Sequence, residues 1–450
     1  MDTTKKSRPP VESRSFRSDA IEAVIERVSS GIEDPKIRLL FENCFPNTLD
    51  STVFYDPDRG EGDSFIITGD IDAMWLRDSA AQVMPYIRFA DQDAGLRLML
   101  EGLVRRQAAC IHLDAYANAF YRDPVLGEWK DDATEMRPGV HERKWELDSL
   151  VYFLSLSYQL WSKGGATACF DKSWLTAVRR VLEVCREQQG SGAPYRFSRM
   201  GITSSETTAL KGIGQPSKPC GLIRSAFRPS DDSTIFPFLI PSNAFAVVAL
   251  RQAAELCDTF FPESVEASEC RQLADEVETA IYKFAVFDHP SGAPVLAYEV
   301  DGFGGCIFMD DANIPSLLSL PELGFIAVGD PLYQATRRLV LSEDNPFFFK
   351  GSAGEGIGGP HIGLDYVWPM GIIMRAMTSN DEAEILFCLK MLAETDAGTG
   401  FMHETFHKDD PSDFTRDWFC WTNSLFGELI LRIEKDRPHL LQQKITGAEH

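Results

Sequence analysis

Residues 363–377 read Gly-Leu-Asp-Tyr-Val-Trp-Pro-Met-Gly-Ile-Ile-Met-Arg-Ala-Met. Leu364, Val367, Trp368, Met370, Ile372, Ile373 and Met374 leave almost no polar stripe, so a helix here is apolar nearly all round and must be buried on every side. Residues 170–189 are of another kind. Trp174, Val178, Val181, Leu182 and Cys185 recur on one helical face, and the other face is polar. An inner ring of buried helices inside an outer ring of amphipathic ones accounts for both kinds. The expectation is an all-α fold, an (α/α)6 barrel of six helical hairpins with a few short strands in its loops. A solenoid would also alternate helices, but no fixed repeat period is visible.

Outward from these two stretches, periodicity and cap signals predict helices over 18–30, 78–90, 93–110, 145–162, 242–258, 270–285, 313–320, 330–342, 381–392 and 418–434. Strand-like pieces are few: Ser64–Ile67 and Val295–Val300. Residues 1–16 are rich in Pro, Arg and Ser and read as a flexible arm. Residues 17–436 then form one catalytic domain, and 437–450 a tail. Several linkers carry Gly, Pro, Asp, Trp and His, the composition of loops that meet at the mouth of a barrel.

The 450 residues carry 67 acidic and 44 basic side chains, a net charge of −23. That balance disfavours nucleic acid and anionic membrane as partners. No CxxC occurs among the ten cysteines, and they read as buried thiols of a reducing compartment. No apolar leader or membrane-length run is visible, so the expectation is a cytoplasmic monomer.

Six strings carry chemistry. In Thr68–Ala80, Asp72, Trp75, Arg77 and Asp78 combine a stacking surface with a forked guanidinium and carboxylates, which suits vicinal hydroxyls; Asp78 is equally a helix cap. In Glu135–Ser149, Arg137 sits at a Pro-Gly turn, Asp148 can point inward, and Glu142 and Lys144 read as a solvated face. In Phe227–Ser233, Pro229 restrains Arg228 and fixes Asp231 and Asp232 on a turn. Their mutual repulsion raises one pKa, as a general acid requires. Asp310 lies in Met309–Pro315, where Asp311 or Asn313 can cap the 313–320 helix. His361 lies among glycines in Gly356–Gly363 that permit close approach of backbone to ligand. His403 and Glu404 lie in Gly398–Phe406, without the H-E-x-x-H spacing of a metal site.

With these strings in hand, the chain resembles glycoside hydrolase family 125, the exo-α-1,6-mannosidases. The likeness rests on Phe45–Asp50, Asp70–Ala80, Met136–Ser149, Phe227–Asp232, Met309–Ser319, Gly358–Gly363, Gly400–Phe406 and Leu425–Leu429, in one order over residues 35 to 434. The resemblance implies an (α/α)6 barrel and hydrolysis with inversion, without metal or cofactor. It implies Asp231 as general acid (Asp232 being its alternative) and Glu404 as general base, on an α-mannoside oligosaccharide or N-glycan fragment. Inversion needs the two carboxyls roughly 6.5–9.5 Å apart, on opposite faces of the sugar. Trp75, Arg77, Asp78, Arg228 and His361 would line the subsite that holds the terminal sugar. Two other readings compete: a carbohydrate-binding scaffold toroid without turnover, and a magnesium-dependent prenyl diphosphate or terpenoid synthase using Asp231-Asp232 and Asp310-Asp311.

Overall fold

The computed structural model describes residues 7–190, 195–201, 204–290 and 292–447. Its helices are α1 Asp19–Ser30, α2 Pro35–Cys44, α3 Asn47–Ser51, α4 Leu76–Val83, α5 Ala94–Leu113, α6 Leu147–Gly164, α7 Lys172–Gln189, the single turn α8 Ala209–Gly212, α9 Ile240–Phe260, α10 Glu266–Phe284, α11 Pro331–Val340, α12 Pro369–Met377, α13 Glu382–Glu394 and α14 Cys420–Asp436. None of them is long and apolar enough to cross a membrane. The sequence expectations omit α2, α3 and the single turn α8.

The helices form an α/α toroid. On the inside α4 packs on α6, α6 on α9, α12 on α14, and α14 back on α4. Outside, α5 covers α6, α7 lies on α5 and α10, α10 lies on α9, and α13 lies on α12 and α2. The inner helices are buried as their composition demands: in α12, Met370, Ile372, Ile373 and Met374 are all within 2% of full burial.

Most outer helices begin differently from the inner ones, the exception being α10, which starts on Val265 with no side-chain cap. The outer α1, α2, α5, α7, α11 and α13 start on Ser18, Asp34, Asp93, Asp171, Asp330 and Asp381, whose side chains accept first-turn backbone N–H groups. The inner α4, α6, α9, α12 and α14 start on Trp75, Glu146, Leu239, Trp368 and Phe419, and none of these side chains caps its helix. Their first N–H groups, or that of the residue before, go instead to neighbouring loops: Leu76 N to Asn118 O, Ile240 N to Tyr298 O, Trp368 N to Ile357 O and Phe419 N to Met402 O. Small antiparallel sheets hold those loops. Met74–Trp75, Ala119–Phe120 and Val140–Glu142 form one ahead of α4 and α6. Phe238–Leu239, Glu299–Val300 and Cys306–Ile307 form another ahead of α9, and Tyr366–Val367, Thr405–His407 and Asp410–Thr415 a third ahead of α12 and α14.

Several boundaries are corrected. The helix expected over 363–377 starts at Pro369, because Trp368 before the proline is extended and proline is suited to the first helical position; Leu364 lies outside it and is exposed. Asp78 is not a cap but sits in the first turn of α4. No helix forms over 313–320. The Asp310 carboxylate accepts Leu317 N at 2.8 Å and Leu318 N at 2.9 Å, and Ser316 and Ser319 bond each other, so local side chains hold turns there. This segment packs at the inner layer, where Tyr152 Oη of α6 donates to Ile314 O and Tyr333 Oη of α11 to Leu318 O.

The chain ends are also less loose than their composition suggests. Arg8 pairs with Asp50 and Glu22, and Arg14 with Glu22, laying residues 7–16 on the body. Asp34 Oδ1 caps α2 while its Oδ2 accepts Ile445 N at 2.9 Å, Thr446 N at 2.7 Å and Thr446 Oγ1 at 2.8 Å. Residues 1–6 and 448–450 of the expected arm and tail lie outside the described residues.

Candidate active site

The loops ahead of the inner helices enclose one cavity, and Asp231 and Glu404 both line it. Asp231 is on a hairpin closed by Phe227 pairing with Ser233. Asp231 N donates to Arg228 O at 2.9 Å and Arg228 N to Asp232 O at 2.8 Å, with Pro229 and Ser230 at the turn. Asp231 itself is left-handed, with φ 70°. That region is enriched for Asp among non-glycine residues and still strained, a feature that clusters at functional sites. The twist separates the two adjacent carboxylates. Asp231 reaches the cavity with its side chain 21% exposed. Asp232 is buried, facing Ser230 Oγ and, at 3.4 Å, His361 Nδ1.

Asp231 is surrounded by cations. Arg77 Nη2 donates to its Oδ1 at 3.2 Å, and Asn118 Nδ2 does so at 3.1 Å. Burial by itself would raise the Asp231 pKa, but Lys144 and Arg77 more than offset it and hold the carboxyl below its ordinary value. The expectation that Asp232 raises Asp231 is thereby corrected. The carboxyl beside Asp231 is Glu146, which accepts from the same Arg77 and Asn118 donors and whose own pKa burial pushes well up. Glu142 and Lys144, expected on a solvated face, are buried as well: Lys144 Nζ donates to Glu206 Oε2 at 2.8 Å and Arg199 Nη1 to Glu142 Oε1 at 2.7 Å.

Glu404 stands at the start of the strand Thr405–His407, its side chain 6% exposed. Arg416 Nε donates to its Oε1 at 3.1 Å, and the same guanidinium pairs with Asp70. The support for Glu404 comes from this nearby arginine and not from the adjacent His403. Its ring stacks on Phe414 and its two nitrogens face the carbonyls of Arg416 and Asp396. His361 does line the cavity. Burial would lower its pKa, but the hydrogen bond and charge of Asp232, with Asp231 and Glu404 beyond, raise it to about 9. Arg77 is locked by Asp78 at 2.6 Å, Glu146 at 3.3 Å and Asp148 at 3.3 Å, with Trp421 beneath its guanidinium. Burial pushes Asp78 and Asp148 each up to about 6, against the pull of Arg77.

Trp75, Arg77, Asp78 and His361 therefore join Asp231 and Glu404 in the cavity, and the other expected contacts are corrected. Asp72 is exposed and lines no part of it. Arg137 lies at a separate cleft, where it pairs with Asp114 and donates to Leu113 O. Arg228 turns inward, with Nε on Glu299 Oε1 at 2.7 Å. Asp310 spends both oxygens on backbone N–H groups, and burial pushes it up to about 8. Asp232 and His403 act behind the wall. The sequence reading missed Arg416, Asn118, Glu146, Trp368 and Phe419. The signal available for Trp368 and Phe419 was an aromatic residue at a helix start where Ser or Asp belongs.

Three buried donors lack a partner and line this cavity: Thr68 Oγ1, Trp75 Nε1 and Trp368 Nε1. Buried polar groups are nearly always paired, and these three donors stand beside aromatic faces and two carboxyls. Among the described residues no three His, Cys, Asp or Glu side chains are grouped as metal ligands would be.

Comparison with known proteins agrees. A family model described as metal-independent alpha-mannosidase (GH125) matches residues 34–431. The meiotically up-regulated gene 157 protein of Schizosaccharomyces pombe is 41% identical over 460 residues, covering 98% of this chain and 90% of that protein. A metal-independent α-mannosidase of Streptococcus pneumoniae, solved in a non-productive complex with α-1,6-mannobiose, is 38% identical with a TM-score of 0.91, over 94% of this chain and all of that one. A bacterial glucoamylase complexed with acarbose shares the fold alone, at 13% identity and a TM-score of 0.53 over 90% of this chain and 56% of that one. From the matched span and these identities, the chain belongs to the GH125 family of metal-independent α-mannosidases, which are glycoside hydrolases.

Proposed function

We propose that this protein removes non-reducing-end α-1,6-linked mannose from an oligosaccharide with inversion of configuration, Asp231 acting as general acid and Glu404 as general base. The observation that carries this reading is that two carboxyls 173 positions apart in sequence line one cavity. The α-1,6 linkage draws on the mannobiose bound by the Streptococcus pneumoniae relative. Family membership sets aside the magnesium-dependent synthase and the scaffold without turnover.

The terminal mannose enters ring-first against Trp75, Trp368 and Phe419, and its hydroxyls take up Thr68 Oγ1 and the two indole N–H groups. Asp231 gives its proton to the glycosidic oxygen as the C1–O bond breaks. On the other face of the ring a water attacks C1 and loses its proton to Glu404, whose Oε1 is fixed by Arg416 so that the second oxygen faces that water. One catalytic unit over residues 17–436 carries the reaction. Its six hairpins take α4, α6, α9, the 312–320 segment, α12 and α14 as inner members, with α2, α5, α7, α10, α11 and α13 outside.

Proton NMR of α-1,6-mannobiose during turnover tests the stereochemistry: β-mannose appears first if the reading holds, and α-mannose first contradicts it. Asp231→Asn and Glu404→Gln should each lower kcat by about 10²–10⁴-fold. Wild-type turnover by Glu404→Gln would remove the base assignment.

A further inference from the structure

A general acid must carry a proton when substrate arrives, yet Asp231 faces Arg77 and Lys144, both of which favour its ionised form. The neighbouring Glu146 resolves this conflict. It is 1% exposed, at the start of α6. Its carboxyl and that of Asp231 accept from the same two donors and so stand side by side. Two carboxylates held that close repel, and one proton between them relieves the repulsion. The same two donors bridge the pair: Arg77 Nη2 lies 3.3 Å from Glu146 and 3.2 Å from Asp231, and Asn118 Nδ2 lies 3.2 Å and 3.1 Å from them. Ser149 Oγ donates to Glu146 Oε2 at 2.8 Å.

We propose that Glu146 is the resting holder of the proton that Asp231 delivers, so that the acid of this site is a shared-proton carboxyl pair rather than a single aspartate. This rests on the assignment of Asp231 as acid. Glu146 acts through Asp231 and is a positioning residue. When the C1–O bond breaks, its electron pair stays on the leaving oxygen. The shared proton moves from Glu146 to Asp231 and on from Asp231 to that oxygen. The pair is left doubly anionic against Arg77 and Lys144, and one proton from solvent restores it. The charged groups facing the pair are Arg77 and Asp78 from α4, Asp148 from α6, Glu142 and Lys144 from the strand and loop ahead of α6, and His361 from the glycine loop. Arg77, Lys144 and His361 stabilise the doubly anionic form, and the three carboxyls favour retention of the shared proton. Two like carboxyls in contact cannot both ionise readily, which is how such a pair keeps one proton at neutral pH.

The Glu146→Gln variant tests this on two substrates, α-1,6-mannobiose and 2,4-dinitrophenyl α-mannoside, whose leaving group needs no proton. The expected result is a loss of about 10²-fold or more in kcat on mannobiose, little change on the activated substrate, and a basic limb of the kcat/KM profile displaced to lower pH. An unmoved limb, or equal loss on both substrates, overturns the proposal, the second by making Glu146 a scaffold only. Asp231→Asn is run alongside. Wild-type turnover of mannobiose by that variant fails the acid assignment itself and leaves a different pattern from either Glu146 outcome. Infrared spectroscopy of the wild-type protein needs no variant. A protonated-carboxyl band at neutral pH that shifts when glutamate is ¹³C-labelled supports the proposal, and a band that shifts only with labelled aspartate, or no band, overturns it.

Discussion

Arg416 is a single guanidinium holding both the proposed base, Glu404, and Asp70 on the loop ahead of α4. Replacing it by Met leaves Glu404 free to rotate in a cavity where a small displacement is costly. We expect kcat to fall by about 10²-fold with KM little changed, as steady-state kinetics on mannobiose would show. His361 offers a titration. Its raised pKa depends on Asp232, so Asp232→Asn should move the His361 NMR midpoint from about 9 down toward the ordinary 6.5. By the same sign, the stability that the charged His361 contributes is full below pH 6.5 and fades as pH rises through 9. The two strings that bring Asp231 and Glu404 to the cavity were legible because each placed a carboxylate in a short turn beside aromatic or basic residues. Arg416 was not, since an arginine in Asp-Phe-Thr-Arg-Asp-Trp gives no local sign that it faces a glutamate twelve residues earlier. Adjacency also misled: Asp231 and Asp232 are neighbours in sequence, but the left-handed turn between them points them to different partners.

At the scale of elements, legibility divided along the two layers. Outer helices other than α10 announced their starts, because Asp93, Asp171, Asp330 and Asp381 supply a cap within the local sequence. Inner helices draw their first acceptors from distant loops, so the sequence around Trp75 or Trp368 carries no capping side chain, and the expected start differs from the observed one at Leu76 for α4 and, more widely, at Pro369 for α12. Asp171→Ala should therefore cost about 1 kcal/mol in chemical denaturation and leave kcat as it was, since α7 is an outer helix. Gly427 is a sharper case. A Cβ there would stand 2.7 Å from Phe45 Cδ2 and 3.0 Å from Phe45 Cα, where α14 passes the end of α2. Gly427→Ala should cost about 1–3 kcal/mol as overpacking, measured the same way.

For the whole molecule, the site is assembled from segments spread round the toroid: the loops before α4, α9, α12 and α14 each contribute to one cavity. Activity and near-ultraviolet circular dichroism should then vanish over the same urea range, and early loss of activity with the fold intact would show a locally separable site. The toroidal fold was legible from the contrast between apolar and amphipathic helices. The closure of α14 on α4 was not, because it joins segments more than three hundred residues apart. Asp34 makes a second such join. Burial would raise its pKa, but the backbone and hydroxyl donors of residues 445–446 lower it, so its contribution persists above pH 3.8 and is lost on further acidification. Shortening the chain after Lys444 strips those donors away, and Asp34→Asn spoils their acceptor. Each lesion should cost at least about 2 kcal/mol, yet the doubly altered protein should melt close to the worse of the two, for both changes unpick a single stitch.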